Sequence, residues 1–387
     1  MKIGIEGQRL FRKKKHGMDM VALELINNLQ KIDTINQYVI FVKPDWDNEC
    51  LKETKNFKIV KLHGGFYPIW EQYALLKAAK AHKCDILHCT SNTAPVFTKI
   101  PLIVTLHDII YLESISVFKK AGTWYQKFGN LYRRLVVPAI IKKSKKIITV
   151  SNFERKRIAD FFKMNDSNNL VAVYNGVSEH FKKIDDPTIL AQAKKKYNLP
   201  DEFFFHLGNT DPKKNTKGVL KAYSDFLKTS NSKIPLVMLD FDKTELTKIL
   251  KEIGNSDLIN HIQLTGYVLN ADLPAIYSQC KIFLYPSLRE SFGIPILEAM
   301  ACGTPVITSN TSSMPEIAGE AAYLINPYKT EEITEAINKL LADNTLTTNL
   351  IEKGYVQSQK FSWNAMAKNV LKIYEEVYSS DNMHNNQ

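Results

Sequence analysis

The sequence has few of the features that mark membrane-spanning, secreted or metal-binding proteins. No run of about 18 apolar residues occurs in the 387-residue chain, so we expect no transmembrane helix. The N-terminal MKIGIEGQRLFRKKK turns basic almost at once and lacks the apolar stretch of a signal peptide. The five cysteines form no CxxC pair, which indicates neither zinc nor disulfides. These absences favour a reduced, cytoplasmic protein.

Several motifs of catalysis and cofactor binding are also missing. The nine histidines show no HExxH or similar metal-binding pattern. The dinucleotide-binding GxGxxG and the phosphate-binding GxxxxGKS or GxxxxGKT do not occur. No carboxylate cluster that would hold a divalent metal is evident. We therefore expect a protein that needs no metal and no cofactor.

The positive charge is concentrated in the first half of the chain. The net charge is +11, and residues 1–180 hold 29 Lys and Arg against 16 Asp and Glu. The remaining residues hold 22 against 24. The excess lies in Phe11–His16, Tyr132–Arg134 and Ile141–Lys146. Such patches bind anionic lipid headgroups or nucleic acid, although a plain solvated surface is the commoner outcome for any single run.

The length and the pattern of the chain predict two α/β domains. A chain of this size is too long for one ordinary core. Short apolar segments alternate with amphipathic stretches; in one of these, Met18, Val21, Leu25 and Leu29 fall on one helical face. Strand alternating with helix is typical of parallel sheets covered on both faces. We expect two doubly wound domains facing across a cleft, with ligands beyond the carboxyl ends of the strands.

A turn-forming pair, Asn175-Gly176, precedes a polar stretch and marks the predicted joint between the domains. The first domain is expected over 1–180 and the second over 181–363. A further helix, predicted near the C-terminus, has an apolar face made by Met366, Val370, Ile373 and Val377.

The stretch Glu290–Ile307, ESFGIPILEAMACGTPVI, has the pattern of a loop, a short helix and a strand. An apolar segment that reads as a strand precedes it. Pro295 suits the first position of a helix over 296–302, and Gly303 suits its C-terminal end. A loop and a helix N-terminus therefore follow a buried strand here.

The residues of this loop indicate a ligand with phosphate and hydroxyl groups. The amides of Phe292, Gly293 and Ile294 would lie at the helix N-terminus, which attracts anions. Glu290 in the loop and Glu298 in the helix are placed to accept hydrogen bonds from ligand hydroxyls. Phosphate together with hydroxyls suggests a nucleotide-sugar.

Other candidate residues follow predicted strands of the second half. Gly208 and Asn209 end one strand, and Lys213 and Lys214 come just before the next helix. A lysine aimed at a diphosphate would stabilise the charge that develops on a departing nucleoside diphosphate. A solvated lysine pair is the alternative. Tyr267 follows a further strand, in a loop that would offer backbone groups to a base.

Two candidates lie in the first half. His107 follows an apolar strand, so it would donate a hydrogen bond to a sugar hydroxyl or shuttle a proton. A histidine satisfied by neighbouring backbone is the alternative. Gly17 lies between the first strand and the first long helix, where it would let backbone amides approach a ligand, or be a simple loop glycine.

Taken together, these segments resemble family 4 retaining glycosyltransferases. Glu290 and Glu298 are separated by seven residues, as in the E-x7-E signature of that family. Further segments follow in the family's order: HGMD, LHDIIYLE, VSNFERKRI, VYNGV, GNTDPKKN, TGYV and SSMPEIAGEAAYLINP. The resemblance implies the GT-B architecture, two Rossmann-like domains of which the second binds the donor. It also implies that a last helix, at about 364–380, crosses back to the first domain.

The resemblance assigns roles to the donor-binding residues. Lys214 would contact the donor diphosphate, and Lys213 stands where many relatives have arginine. Glu298 would bind the ribose hydroxyls. Glu290 and the amides of 292–294 would hold the transferred sugar and phosphate. The implied set also contains Gly208, Asn209 and Tyr267.

In the first domain, the resemblance places His107 near the reacting sugar and Gly17 near phosphate or acceptor. Two departures stand out. His16 precedes Gly17 where many members have a second glycine, and Asn209 replaces a threonine or arginine. With no evident metal site, lysine and helix amides would stabilise the leaving diphosphate. The family transfers sugar with retention, and we expect Glu290 to act through hydrogen bonds rather than as a nucleophile.

The sequence therefore predicts a metal-independent hexosyltransferase that uses a nucleotide-sugar donor and a glycan or lipid-linked acceptor in cell-surface polysaccharide biosynthesis. The pattern resembles bacterial mannosyltransferases, which favours GDP-mannose. The basic first half leaves open a peripheral contact with the anionic inner face of the membrane; no nucleic acid is expected. The alternatives are a nucleotide-sugar epimerase, which needs no acceptor, and a non-catalytic binding module of the same fold.

Overall fold

The computed structural model describes residues 1–15, 17–113, 124–164 and 168–385. The chain forms two compact units, Met1–Gly176 with Trp363–Gln387, and Val177–Ser362. It passes from the first unit to the second inside the predicted joint and returns to the first at Trp363. His16, singled out by the sequence pattern, lies outside the described residues.

The first unit contains a seven-stranded parallel sheet in the order β3-β2-β1-β4-β5-β6-β7. Its strands are β1 Lys2–Glu6, β2 Gln37–Val42, β3 Phe57–Lys61, β4 Ile86–Cys89, β5 Leu102–Thr105, β6 Lys146–Thr149 and β7 Leu170–Ala172. The central strands β4 and β5 are mostly apolar, and all of their side chains are buried, as is typical of parallel sheets covered on both faces.

In the described part of the first unit, six α-helices lie between the strands of this sheet. They are α1 Gly17–Ile32, α2 Tyr67–Ile69, α3 Leu76–Ala81, α4 Ile110–Glu113, α5 Trp124–Lys143 and α6 Asn152–Phe162. A π-helical turn, Trp70–Leu75, joins α2 to α3. On α1, the predicted core face is confirmed for Val21, Leu25 and Leu29, whereas Met18 is only partly buried.

The second unit contains a six-stranded parallel sheet in the order β10-β9-β8-β11-β12-β13. Its strands are β8 Phe204–His206, β9 Leu236–Met238, β10 Ile262–Leu264, β11 Ile282–Tyr285, β12 Val306–Ser309 and β13 Tyr323–Ile325. Its helices are α7 Pro187–Tyr197, α8 Thr216–Thr229, α9 Lys243–Glu252, α10 Leu273–Gln279, α11 Ile294–Ala301, α12 Met314–Ala318, α13 Thr330–Ala342 and α14 Asn344–Gln359.

The last helix, α15 Trp363–Asn385, belongs to the first unit and packs against α1. Its predicted apolar face is buried, with Met366, Val370, Ile373 and Val377 all below 6% exposed. The Tyr374 hydroxyl lies 2.7 Å from Nδ1 of His88 on β4, so the helix is joined to the sheet by a buried polar contact as well. The helix runs past its predicted end at residue 380.

These observations confirm the predicted fold of two doubly wound α/β units. Each has its own hydrophobic core, one centred on β4 and β5 and one on β8 and β11. In each sheet the strand order reverses once, between β1 and β4 and between β8 and β11. Ligands of such sheets bind beyond the carboxyl ends of the strands at the reversal. Among the described residues, no helix is long and apolar enough to cross a membrane.

Candidate functional site

Two loops meet at the reversal point of the second sheet. β8 and β11 are neighbours there, and both point their carboxyl ends to the same edge. The loop after β8 contains Gly208, Asn209 and the lysine pair, and the loop after β11 contains Glu290. The predicted donor-binding residues of these two loops therefore lie at one edge of the sheet, where ligands of this fold class bind.

Lys214 and Glu290 form an ion pair at this edge. The Lys214 Nζ lies 2.6 Å from Glu290 Oε1 and 3.3 Å from the Tyr285 hydroxyl. The side chains of Lys214 and Glu290 are only 23% and 11% exposed. Burial, followed by the nearby Glu290 carboxylate, raises the pKa of Tyr285 well above its usual range, which keeps the phenol neutral. The ammonium is thus held at a fixed position by an anion and a neutral acceptor.

Asn215, which the sequence analysis missed, ties the two loops together. Its backbone has a φ of +56°, and its Nδ2 donates to the carbonyl oxygens of Pro286 (3.0 Å) and Pro327 (2.9 Å). The Leu288 amide donates to the Lys213 carbonyl at 2.7 Å. An asparagine in GNTDPKKN reads as an ordinary helix cap, so its hydrogen bonds to two distant chain segments were not visible in the sequence.

The N-terminus of α11 is open toward the same edge. The helix begins at Ile294, two residues before the predicted start, so Pro295 is its second residue rather than its first. Gly293 precedes it with a φ of +109°, and no side chain caps the helix. Within the described part of the chain, the amides of Gly293 and Ile294 have no hydrogen-bond acceptor. Such amides attract an anion.

Two serines of the loop after β12 hold the Glu290 loop in this orientation. The Ser313 hydroxyl lies within hydrogen-bond distance of the carbonyl oxygens of Glu290 (2.9 Å) and Phe292 (2.8 Å). The Ser312 hydroxyl accepts from the Glu290 amide at 3.1 Å. The serines thus engage two carbonyl groups and one amide of this loop, and none of these bonds uses the amides of Gly293 and Ile294. Neither serine was predicted, although SSMPEIAG had been noted as a family segment.

Glu298 lies on α11 and is partly buried. The Tyr277 hydroxyl donates to its Oε2 at 3.2 Å. Burial raises the pKa of Glu298 to about 7, and the hydrogen bond from Tyr277 offsets only part of this effect. The carboxyl group therefore changes its charge near neutral pH.

The remaining residues of the second unit play different parts. An added Cβ at Gly208 would come within 2.6 Å of Met238 and 2.7 Å of Phe241, so packing alone requires this glycine. The Asn209 Oδ1 accepts from the Asp211 amide and shapes the turn. The Lys213 ammonium points to Asp211, 3.5 Å away, rather than to Glu290. Tyr267 follows the edge strand β10 and is 64% exposed.

In the first unit, His107 is buried and held by the chain that follows β4. Its Nε2 lies 3.0 Å from the Thr90 carbonyl oxygen, and its amide donates to Asn92 Oδ1 at 2.6 Å. A carbonyl oxygen only accepts, so Nε2 carries the proton and Nδ1 carries the lone pair. Burial lowers the pKa of His107, which keeps the ring neutral. Nδ1 is therefore the ring nitrogen that is left to accept a hydrogen bond, and the contact with a sugar hydroxyl stays a prediction.

Gly17 is the first residue of α1. An added Cβ there would meet no described atom within 4 Å, so packing does not require a glycine. This differs from Gly208, where Met238 and Phe241 would have to shift to admit a side chain.

The carboxylates of the described residues form no metal site. In the part of the chain that the structure describes, no group of three or more His, Cys, Asp or Glu side chains is arranged to hold a metal ion. The sequence analysis noted no carboxylate cluster, although two aspartate pairs of the form DxD occur, Asp45/Asp47 and Asp240/Asp242. In the first, Asp47 pairs with Lys15. In the second, Asp242 caps α9 by accepting from the Glu245 amide at 3.0 Å. Both aspartates are therefore engaged in local structure.

Comparison with known families matches nearly the whole chain. Residues 16–181 match the model described as Glycosyltransferase Family 4, and residues 190–357 match that of Glycosyl transferases group 1. The two matches follow the division into two units closely.

Two curated relatives are mannosyltransferases of Escherichia coli. The serotype-specific mannosyltransferase WbdA is 34% identical over 200 residues, which cover 51% of this chain and 24% of WbdA. The chain thus spans only about a quarter of that relative. O-antigen chain mannosyltransferase B is 28% identical over 274 residues, 70% of either chain.

Among solved structures, Anabaena Alr3699/HepE in complex with UDP and glucose superimposes with a TM-score of 0.73. The match covers 97% of this chain and 100% of that one at 18% sequence identity. At this level of identity the likeness shows a common fold.

Proposed function

The chain is a family 4-like glycosyltransferase of the GT-B fold, and from this premise we propose that it transfers a hexose from a nucleotide diphosphate sugar. The acceptor would be a hydroxyl group of a glycan or lipid-linked acceptor, and the anomeric configuration would be retained. The observation that supports this most is the convergence of Lys214, Glu290 and the α11 N-terminus at the reversal point of the second sheet.

We assign the diphosphate of the donor to Lys214 and to the amides of Gly293 and Ile294. The ammonium is fixed before the ligand arrives, so little reorganisation is needed when negative charge develops on the leaving group. The positive end of the α11 dipole acts in the same direction. This arrangement requires no metal ion.

The nucleoside is assigned to the residues around this centre. Glu298, as a carboxylate, would accept hydrogen bonds from the ribose hydroxyls. The loop that contains Tyr267 would meet the base. Gly208 and Asn209 would form the floor of the site through their backbone, and Lys213 would add positive charge at its rim.

The geometry favours a transfer in which Glu290 forms no covalent bond. Its carboxylate is committed to Lys214, which lowers its nucleophilicity, and it would position the transferred sugar. The acceptor oxygen would form a bond to the anomeric carbon on the face from which the diphosphate departs. The acceptor proton would pass to the leaving phosphate oxygen. His107, neutral with a free lone pair at Nδ1, would accept a hydrogen bond from the transferred sugar, with Gly17 near phosphate or acceptor.

The names of the relatives favour mannose as the transferred sugar. WbdA and O-antigen chain mannosyltransferase B are both mannosyltransferases, and the second name refers to a cell-surface polysaccharide. We therefore propose GDP-mannose as donor and a polysaccharide precursor as acceptor, with action at the cytoplasmic side of the membrane.

A peripheral membrane contact is proposed for one face of α5. Leu131 and Leu135 are 48% and 70% exposed, and Phe97 beside the end of the helix is 84% exposed. Lys142 and Lys143 on the same helix are exposed as well. Apolar side chains flanked by lysines bind anionic bilayers. We expect the protein to sediment with phosphatidylglycerol vesicles but not with phosphatidylcholine vesicles. Leu135→Ser should lose this sedimentation. If the wild type does not sediment with phosphatidylglycerol vesicles, this contact is refuted.

The transferase proposal is tested by incubating the protein with GDP-mannose, UDP-glucose and other nucleotide-sugars in the presence of a chelator. Release of nucleoside diphosphate that depends on a glycan acceptor, and an α-linked product from an α-linked donor by NMR, are expected. Equal release without acceptor would favour an epimerase or hydrolase. No turnover and no nucleotide binding would favour a non-catalytic module.

A further inference from the structure

A pocket of about 120 Å³ lies in the first unit, away from the residues assigned so far. Its walls come from three places in the chain: the loop after β1, the start of α2 and the outer turns of α5. They include Arg9, Phe66, Tyr67, Phe128, Tyr132 and Arg133. β1 and β3, which precede two of these segments, point their carboxyl ends to the edge of the sheet that ligands of doubly wound folds use.

The two arginines of the pocket have no anionic partner in the described residues. Arg9 stacks over the Tyr67 ring at 5.5 Å, and its Nε is buried without a hydrogen-bond acceptor there. Among the described residues, the contacts of Arg133 are with neutral groups, the side-chain oxygen of Asn130 at 3.2 Å and the ring of Tyr111 at 5.6 Å. Buried donors in folded proteins are normally satisfied. A bound anion would supply the missing acceptor.

The aromatic rings form a rigid apolar wall. The rings of Phe66 and Phe128 are 4.9 Å apart, and those of Tyr67 and Tyr132 meet edge to face at 5.8 Å. The C–H faces of a sugar ring bury well against such surfaces. The walls thus combine a surface for a sugar with two donors for an acidic group.

Glu71 fixes the two tyrosines of this wall through hydrogen bonds. It is fully buried on the π-helical turn, and its carboxylate accepts from the hydroxyls of Tyr67, Tyr132 and Thr93. Both tyrosines that face the pocket are therefore fixed by one buried group. π-helical turns occur frequently at functional sites, because the extra residue in the turn re-aims its neighbours.

We propose that this pocket binds an acidic sugar of the acceptor, with Arg9 and Arg133 on its carboxylate or phosphate and the aromatic rings on its ring. The proposal rests on the transferase function above, since an acceptor is required there. It deepens that function by restricting the acceptor to an anionic saccharide. Glu71 is a positioning residue in this account.

Calorimetric titration with three monosaccharides tests the proposal: mannose 6-phosphate, glucuronic acid and the neutral methyl α-mannoside. We expect the two anionic sugars to bind more tightly than the neutral one. Whichever of them binds more tightly identifies a phosphate or a carboxylate as the natural group. Arg9→Gln and Arg133→Gln should each weaken anionic binding about tenfold, the loss expected for one charge-assisted hydrogen bond. Lys156→Gln, which removes an exposed charge on α6 of the same unit, should leave it unchanged.

One further variant, compared with Arg133→Gln, separates this site from the nucleotide site. Lys214→Ala should lose nucleotide binding and keep anionic-sugar binding, and Arg133→Gln should do the reverse. Arg133 is partly exposed, so its variant serves if Arg9→Gln does not fold. The proposal is wrong if neither anionic sugar binds, or if methyl α-mannoside binds as tightly as the anionic sugars. It is also wrong if Lys214→Ala alone abolishes binding of the anionic sugars. If anionic sugars bind through Arg9 and no nucleotide binds, the transferase proposal fails, whereas the assignment of this pocket to an acidic sugar stands.

Discussion

At the scale of single residues, Lys214 and Glu290 explain how a charged site is kept ready without a ligand. Burying either group alone would be strongly unfavourable, and the pair at 2.6 Å removes most of that penalty. Under the proposed function, an entering diphosphate would share the ammonium with the carboxylate and would not have to order a mobile lysine. The same pairing explains why Glu290 is a poor candidate for a covalent nucleophile.

Glu298 makes the stability of the protein depend on pH. Burial raises the pKa of its carboxyl from an ordinary 4.5 to about 7. Between these values the folded state keeps a proton that the unfolded state has lost, so the free energy of unfolding falls as pH rises. The fall amounts to roughly 3 kcal/mol at most and is complete above the folded pKa.

Thermal unfolding of the wild type and of Glu298→Gln over this pH range measures the effect. The wild type should lose stability relative to the variant as the pH rises from acid to neutral. A constant difference across the range would show that Glu298 titrates normally.

His107 should affect the rate and spare nucleotide binding. Its ring belongs to the first unit, whereas the proposed nucleotide-binding residues belong to the second. His107→Gln removes the Nδ1 acceptor, so we expect kcat to fall by about two orders of magnitude, the lower end for one positioned catalytic group. The dissociation constant of the nucleoside diphosphate, measured by calorimetry, should stay the same. If the affinity for the nucleoside diphosphate falls by as much as kcat, His107 has a structural role.

At the scale of elements, the α11 N-terminus depends on one glycine. Gly293 has a φ of +109°, where a side chain is strained, and an added Cβ would also lie 3.1 Å from Ile296. Gly293→Ala should lower stability by about 1–2 kcal/mol and weaken nucleotide binding, because the amides are displaced.

Gly254, at the end of α9, supplies the matched control. It has a φ of +73° and no atom near its added Cβ, so Gly254→Ala meets similar backbone strain away from the site. Its stability should fall comparably while nucleotide binding is kept. If both variants bind nucleotide equally well, the α11 amides do not contact the ligand.

Elements were more predictable than the contacts between them. The apolar segment before Glu290, Lys281–Ser287, predicted the strand β11, and the proline and glycine signals after it predicted α11, each to within two residues. The helix begins earlier because Gly293, not Pro295, sets the turn into it. The hydrogen bonds of Asn215, and those of Ser312 and Ser313 to the Glu290 loop, join residues more than twenty positions apart in the chain. Local sequence patterns do not encode such contacts.

At the scale of the whole molecule, the sequence predicted the fold class because strand and helix periods alternate throughout. The pocket around Arg9 illustrates the limit of that reasoning. Its walls come from residues near positions 9, 67 and 132, and nothing in each segment alone indicates a common site. The buried His88 contact of α15 was equally hidden, although the apolar face of the helix was not.

Removal of α15 should separate the stabilities of the two units. Truncation after Ser362 exposes the α1 face and leaves His88 without Tyr374, so the first unit should unfold at lower temperature. The second unit has its own core and a continuous chain, so it should keep its unfolding transition and its nucleotide binding. Calorimetry with and without nucleotide distinguishes the two transitions. A single transition that shifts as a whole would contradict independent cores.

The central claim is that the second unit holds a nucleoside diphosphate on Lys214 and the α11 amides. Titration calorimetry of GDP, UDP and ADP into the wild type, Lys214→Ala and Lys228→Ala, with chelator present, tests it most directly. We expect one nucleotide to bind the wild type and Lys228→Ala alike, and to bind Lys214→Ala at least about tenfold more weakly. Equal binding to all three proteins, or no binding to the wild type, would contradict the claim.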